Sequence, residues 1–198
     1  PTATPLTTAP PLATSGTSLE TTTETTAITT STCTTVITTE TTAVSTEAPQ
    51  TPPETDSFFQ EYDTAFKAYM DYRTITDTSS EQYAIQQNAW TDSHGLRRSC
   101  DDYLVAMGTG WLTEGCGDRF QVTLESGSVF TVRVGDIKAD QHTDSTHRYR
   151  SCADGANVLE FIVETESLSD AARTAGTVSV YPELSGNIAA IEPISTAQ

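Results

Sequence analysis

Residues 119–136 read RFQVTLESGSVFTVRVGD. Phe120, Val122 and Leu124 alternate with polar residues in the first half. In the second half Val129, Thr131 and Arg133 face one way, and Phe130, Val132 and Val134 the other. Alternation with period two marks half-buried strands. The tight turn at Ser126-Gly127 joins them into a hairpin. Working outward, YLVAMG (103–108) reads as a strand and GCGD (115–118) as a turn. VLEFIVE (158–164), TVSVYPEL (177–184) and NIAAIEPI (187–194) read as further strands. LSDAARTAG (168–176) gives one or two helical turns ending at Gly176.

Two helices are expected ahead of these strands. SFFQEYDTAFKAYMDYR (57–73) places Phe59, Tyr62, Phe66, Tyr69 and Arg73 at helical spacing. The second covers 79–90, where Ser79 and Gln82 have capping-box spacing and Ile85, Ala89 and Trp90 supply the apolar side. Asp92-Ser93-His94-Gly95 is turn chemistry and ends it. No parallel β-α-β series is visible. The expected fold is mainly β (α+β), a six-stranded barrel preceded by two helices, because closing a sheet removes its exposed edges.

Composition divides the chain. Residues 1–56 hold 23 Thr, 4 Ser and 7 Pro, with no Lys, Arg or aromatic residue. Such a segment cannot bury enough apolar surface to offset its ordering entropy, and reads as a disordered Thr/Pro-rich linker or stalk. The expected organisation is this linker, a helical extension over 57–92 and the barrel over 93–198. The net charge is −17. Residues 1–56 contribute six acids, and the remaining 21 acids against 10 bases leave −11 for the rest. That balance disfavours nucleic acid, whose affinity depends on Lys and Arg neutralising phosphates. It equally disfavours anionic lipid. No apolar run approaches the roughly 20 residues of a membrane helix. The chain opens on Pro1 rather than Met, as a processed fragment does. The Thr-rich stalk composition points to an extracellular or cell-surface protein whose Ser and Thr are open to glycosylation. Four Cys stand at 33, 100, 116 and 152. All four reduced is one reading; a Cys100–Cys116 bridge is the favoured pairing if one forms. The absence of a CxxC pair argues against a zinc knuckle.

The segment GDIKADQHTDSTHRYRSCADGAN (135–157) carries the densest chemistry. Asp136, Asp140, His142, Asp144 and His147 lie within twelve residues, with Lys138 and Arg148 beside them. Three readings compete. Glycosidic cleavage needs an acid of raised pKa and often a second carboxylate across the bond. Asp136 leaves an apolar strand where burial raises a carboxyl's pKa, and Glu160 stands inside the apolar run VLEFIVE. The same Asp and His residues could instead hold a divalent ion, although their spacing matches neither HExxH nor an EF-hand loop. The third reading is a solvated loop whose Asp residues cap turns. There is no GxSxG, and GTGWLTEGCG (108–117) lacks the Lys and helix of a phosphate loop.

YLVAMGTGW, CGDRFQVTLESGSVFTVRVGDIKADQHTDS and NVLEFIVETESLSDAARTAGTVSVY together resemble the double-psi β-barrel superfamily. The resemblance covers about residues 90–192. It is strongest to Gram-positive bacterial exported or phage-associated barrels, with rare-lipoprotein-A-like and three-Asp lytic transglycosylase domains as more distant relatives. It implies a barrel in which Asp136 occupies the catalytic strand-end position and Glu160 falls near the second barrel acid. This chain has Asp136-Ile137-Lys138-Ala139 where sugar-cleaving relatives carry a D-x-G-G loop. Non-catalytic wall-binding and expansin-like modules share the barrel, so fold does not decide function.

The expectation is a monomeric, extracellular, glycan-active barrel without cofactor or metal, cleaving peptidoglycan or a related cell-wall polysaccharide. Asp136 would be the general acid/base, assisted by Asp140, Asp144 or Glu160. Trp111 and Tyr149 would stack on sugar rings, with Lys138, His142 and His147 as further substrate contacts. The alternative is a non-catalytic module that presents 136–157 to a wall polymer or partner.

Overall fold

The computed structural model describes residues 57–152 and 155–195; the Thr/Pro-rich segment 1–56, with Cys33, lies outside the described residues. In chain order the elements are α1 (Ser57–Glu61), β1 (Tyr69–Asp71), α2 (Glu81–Gln87), β2 (Trp90–Thr91), β3 (Arg97–Ser99), β4 (Asp102–Gly108), β5 (Arg119–Leu124), β6 (Val129–Lys138), β7 (Arg150–Cys152), β8 (Gly155–Asn157), β9 (Glu160–Val163), α3 (Asp170–Ala175) and β10 (Ile188–Pro193), with short 3-10 turns between. The fold is mainly β.

One eight-stranded sheet runs β1-β9-β4-β6-β5-β10, with the β2-β3 hairpin joined to β4; β7 and β8 form a separate hairpin. β5 and β6 pair antiparallel from Arg119↔Arg133 to Thr123↔Val129, the hairpin that their alternation dictates. β4 runs parallel to β6 and antiparallel to β9. The core lies on one face, where Val105, Met107, Val122, Val132, Val134, Phe161 and Val163 are buried.

The strands do not close into the expected six-stranded barrel: β1 and β10 end the path without pairing with each other. Residues 63–68 run through the gap instead, and they are not the helix that their aromatic spacing predicts. The Thr64 N–H donates to Asn187 Oδ1 at 3.0 Å and the Ala68 N–H to Asn157 Oδ1 at 3.1 Å. The Lys67 N–H donates to Ser179 Oγ at 3.1 Å. Distant side chains thus take the donors that a helix would turn on its own carbonyls. Helix α1 is one turn, and the expected helical extension over 57–92 is largely extended chain, with Tyr69–Asp71 built into the sheet. Helix α2 forms but is shorter than the expected 79–90. It is capped by Ser80, not Ser79, with Ser80 Oγ accepting from the Tyr83 N–H. It ends at Gln87, leaving Trp90 in β2 and exposed rather than on an apolar helix face.

Residues 177–184 form two 3-10 turns rather than a strand. Val178, Tyr181 and Leu184 are the buried residues, a period of three that matches 3-10 geometry. Cys100 and Cys116 are not bridged to each other.

Candidate functional site

Gly135 decides where Asp136 points. The β4–β6 register runs Val105↔Val134 and then Ala106↔Asp136, so Gly135 is an extra residue, a bulge. In unbroken alternation Asp136 would follow Val132 and Val134 into the core. The bulge reverses the parity: Ile137 takes the core face opposite Met107, and Asp136 and Lys138 join the second face opposite Ala106 and Gly108. A Cβ on Gly135 would lie 2.9 Å from Ile162 Cδ1 and 3.3 Å from Gln86 Nε2, so α2 and β9 pack directly on this backbone.

Ala106 also pairs with Glu160 of β9. Asp136, Ala106 and Glu160 therefore form one row across three strands, with the carboxylate-bearing strands two spacings, roughly 9.5 Å, apart. Asp136 is half-buried beside a hollow of about 380 Å³ lined by Met70, Thr74, Ile75, Thr76, Asp77, Ser80 and Gln82. Burial pushes its carboxyl above the ordinary aspartate value, the charge of Glu160 adds to the rise, and hydrogen bonds from the Ile137 N–H and the Gln82 side chain oppose it. Glu160 has 24% of its side chain exposed and faces Lys138, whose Nζ is 4.0 Å from Oε2. The Lys138 ammonium donates to the carbonyls of Asn157 and Val158, both at 3.1 Å. Burial lowers its pKa to about 8 against the attraction of Glu160.

The remaining candidates lie elsewhere. Asp144 accepts from the N–H groups of Thr146, Arg148 and Tyr149 and caps its own loop. Burial works against its ionisation, but the Thr146 side-chain bond and these N–H groups outweigh it and hold the carboxyl at about 2. Asp140 accepts from Thr109 Oγ1 at 2.7 Å and lies 3.6 Å from His147 Nδ1. His142 is exposed beside Arg150 and Ser151, lining a different hollow of about 390 Å³.

Trp111 stacks on Phe59 at 5.7 Å, its indole N–H donates to the Arg148 carbonyl at 2.8 Å, and the Arg148 guanidinium covers it at 4.7 Å. Tyr149 packs on Phe58 and Tyr62. The hydrogen bond with Tyr62 and burial push its hydroxyl up to about 12. These rings anchor α1 to the 143–150 loop rather than line the Asp136 hollow. Among the described residues no three His, Cys, Asp or Glu side chains converge to hold a metal, so the divalent-ion reading of 136–147 has no converging ligand set there.

Sequence reasoning singled out Asp136 as a candidate but missed its surroundings. Met70, Asp77, Ser80 and Gln82 come from residues assigned to a separate helical extension. One available signal was Gly135 itself, since a glycine inside a strand pattern indicates a bulge. No protein-family model matches the chain, and neither the curated proteins nor the solved structures give a match.

Proposed function

We propose that this protein is an extracellular glycan-active domain that cleaves glycosidic bonds of a wall polymer, peptidoglycan foremost, with Asp136 as general acid. The supporting observation is the Asp136 carboxyl: half-buried, raised in pKa and opening on a polar hollow. Burial is the largest influence on its ionisation. A protonated carboxyl of this kind delivers its proton to the glycosidic oxygen as the C–O bond breaks. Thr76 and Gln82 offer hydroxyl and amide partners for sugar hydroxyls, while the Thr74 and Ser80 hydroxyls already donate to the Asp71 and Asp77 carbonyls. In a transglycosylation the sugar's own hydroxyl attacks the anomeric carbon and returns its proton to Asp136. In hydrolysis a water attacks instead, and the backbone spacing of Asp136 and Glu160, about 9.5 Å, is compatible with the wider carboxyl separation of inverting pairs. The resemblance to double-psi barrels points to the same strand-borne Asp.

Asp136→Asn is expected to abolish release of muropeptides from purified wall while leaving the circular dichroism spectrum unchanged. Release at the wild-type rate ends the assignment. The competing reading is a non-catalytic wall-binding module. It is favoured by the placement of Asp140, Asp144, Trp111 and Tyr149 in contacts that build the fold. Co-sedimentation of wild-type protein with insoluble wall, without new reducing ends or anhydro-muropeptides, selects that reading.

A further inference from the structure

The other end of β6 carries a different feature. β4 meets β6 first at Tyr103↔Val132, so Ser128–Thr131 extend beyond β4. On the opposite side they are paired, Thr123↔Val129 through Gln121↔Thr131. The Leu124 N–H donates to the Ser128 carbonyl at 2.9 Å. Antiparallel pairs alternate between bonded and non-bonded, so Phe130 bonds to Val122 while the main-chain N–H groups of Val129 and Thr131 turn away from β5. They turn toward a groove of about 580 Å³ lined by Ser128–Thr131 together with Arg98, Asp101, Tyr103 and Glu183. No strand among the described residues pairs with this side of Ser128–Thr131.

The edge has none of the usual guards. Ser-Val-Phe-Thr carries no Lys, Pro or other charge that would discourage strand pairing. Val129 is 56% exposed. The Tyr103 and Phe130 rings meet edge to face at 5.8 Å and form an apolar wall. The charge of Arg98 is already committed, its guanidinium lying 3.7 Å over Tyr103 and 3.6 Å from Asp92. Asp101 and Glu183, whose Oε1 lies 3.0 Å from His94 Nδ1 and whose second oxygen is left for a further partner, keep the rim acidic, within residues 57–198 that carry 21 acids against 10 bases.

We propose that this groove binds an extended peptide of alternating apolar residues flanked by Lys or Arg, added to β6 as a further strand. The peptide's carbonyls accept from the Val129 and Thr131 N–H groups, an apolar side chain seats against Tyr103 and Phe130, and a basic residue meets Glu183 and Asp101. Main-chain bonds supply affinity and the rim charges supply selectivity. The site is independent of Asp136, and its test does not involve glycan cleavage.

The probe is a pool of capped octapeptides with Val, Ile or Phe at alternate positions and Lys at both ends, titrated into the full chain with amide chemical shifts as readout. Controls are the same pool with Glu at both ends and the same pool with alternate amides N-methylated. The Lys pool is expected to shift and protect the Val129 and Thr131 amides, and the Glu pool to bind at least ten-fold more weakly. The N-methylated pool, deprived of half its strand-pairing donors, is also expected to bind at least ten-fold more weakly. Glu183→Gln should weaken the Lys pool several-fold. Val129→Pro removes one open-edge donor and should abolish the shift; if that variant does not fold, Glu183→Gln decides. The proposal is overturned if the amides of 128–131 do not respond, or if the Glu pool binds equally. It is likewise overturned if the same amides respond only to protein concentration, marking a second copy as occupant, or respond equally to a soluble wall saccharide.

Discussion

Three charged side chains carry the residue-scale argument. Asp136 sits where its ionised form is disfavoured. Its carboxyl pKa is raised on folding, so the fold retains a proton there that the unfolded chain releases, and stability falls as pH rises through that range. Asp136→Asn is therefore expected to be inactive and also more stable than wild type at pH 7, read as a higher midpoint in urea. A lower midpoint would place the ionised carboxylate in a stabilising role. Lys67 and Lys138 act in the opposite pH region. Lys67 is fully buried, its Nζ donating to the Gly186 carbonyl at 2.7 Å and to Ala65 at 3.3 Å. Burial lowers both lysines from 10.5 to about 8. Between those values the folded chain binds fewer protons than the unfolded one, so stability rises with pH from about 8 towards 10.5; the cost of holding each ammonium is fully present below about 8. Urea unfolding between pH 7.5 and 9.5 should show that rise, and Lys67→Met, which leaves Lys138 in place, should cut it by about half while stabilising the protein at pH 7. A flat profile in the wild type would mean that neither amine is perturbed.

At the scale of elements, the bulge in β6 is the feature on which the candidate site depends. It places a residue without a side chain closely against Ile162, Gln86 and Leu104. Gly135→Ala must push aside the Ile162 Cδ1 methyl and crowd the Gln86 amide. Such overpacking typically costs about 1–3 kcal/mol, and it shifts the roof over Asp136. The expected result is a loss of that size in denaturant unfolding together with reduced wall cleavage. Full activity with unchanged stability would show that β6 accommodates a side chain there. The β7–β8 hairpin rests on a similar contact: a Cβ on Gly155 would fall 2.0 Å from the Asp63 carbonyl, which itself accepts from the Ala156 N–H at 2.8 Å.

For the described molecule as a whole, the open question of an unclosed sheet is answered by side chains. Thr64 is almost wholly buried between the ends of the sheet path; its Oγ1 accepts from the Ile188 N–H at 2.8 Å while its own N–H donates to Asn187. Thr64→Val keeps the shape and removes that acceptor, leaving a buried N–H without a partner. The expected cost is about 1–3 kcal/mol, with faster hydrogen exchange at Ile188 than at Val122 in the neighbouring strand. Unchanged exchange at Ile188 would show that β10 is held by β5 alone.

What the sequence by itself determined is local. The β5–β6 hairpin, β4, β9, α2 and α3 follow from apolar period and turn or cap chemistry, which neighbouring residues settle among themselves. The candidate acid was legible too, as an Asp leaving an apolar strand. What the tertiary structure decided are the matters that depend on partners far along the chain. The helical spacing of 57–73 gave way because Asn157, Ser179 and Asn187 claim its backbone donors. The aromatic candidates Trp111 and Tyr149 turned to α1. The row Asp136–Ala106–Glu160 exists only because a one-residue bulge reverses the strand's parity. Periodicity reports which face a residue would take in an unbroken element. Register between strands, and the long-range hydrogen bonds that set it, decide which face it takes.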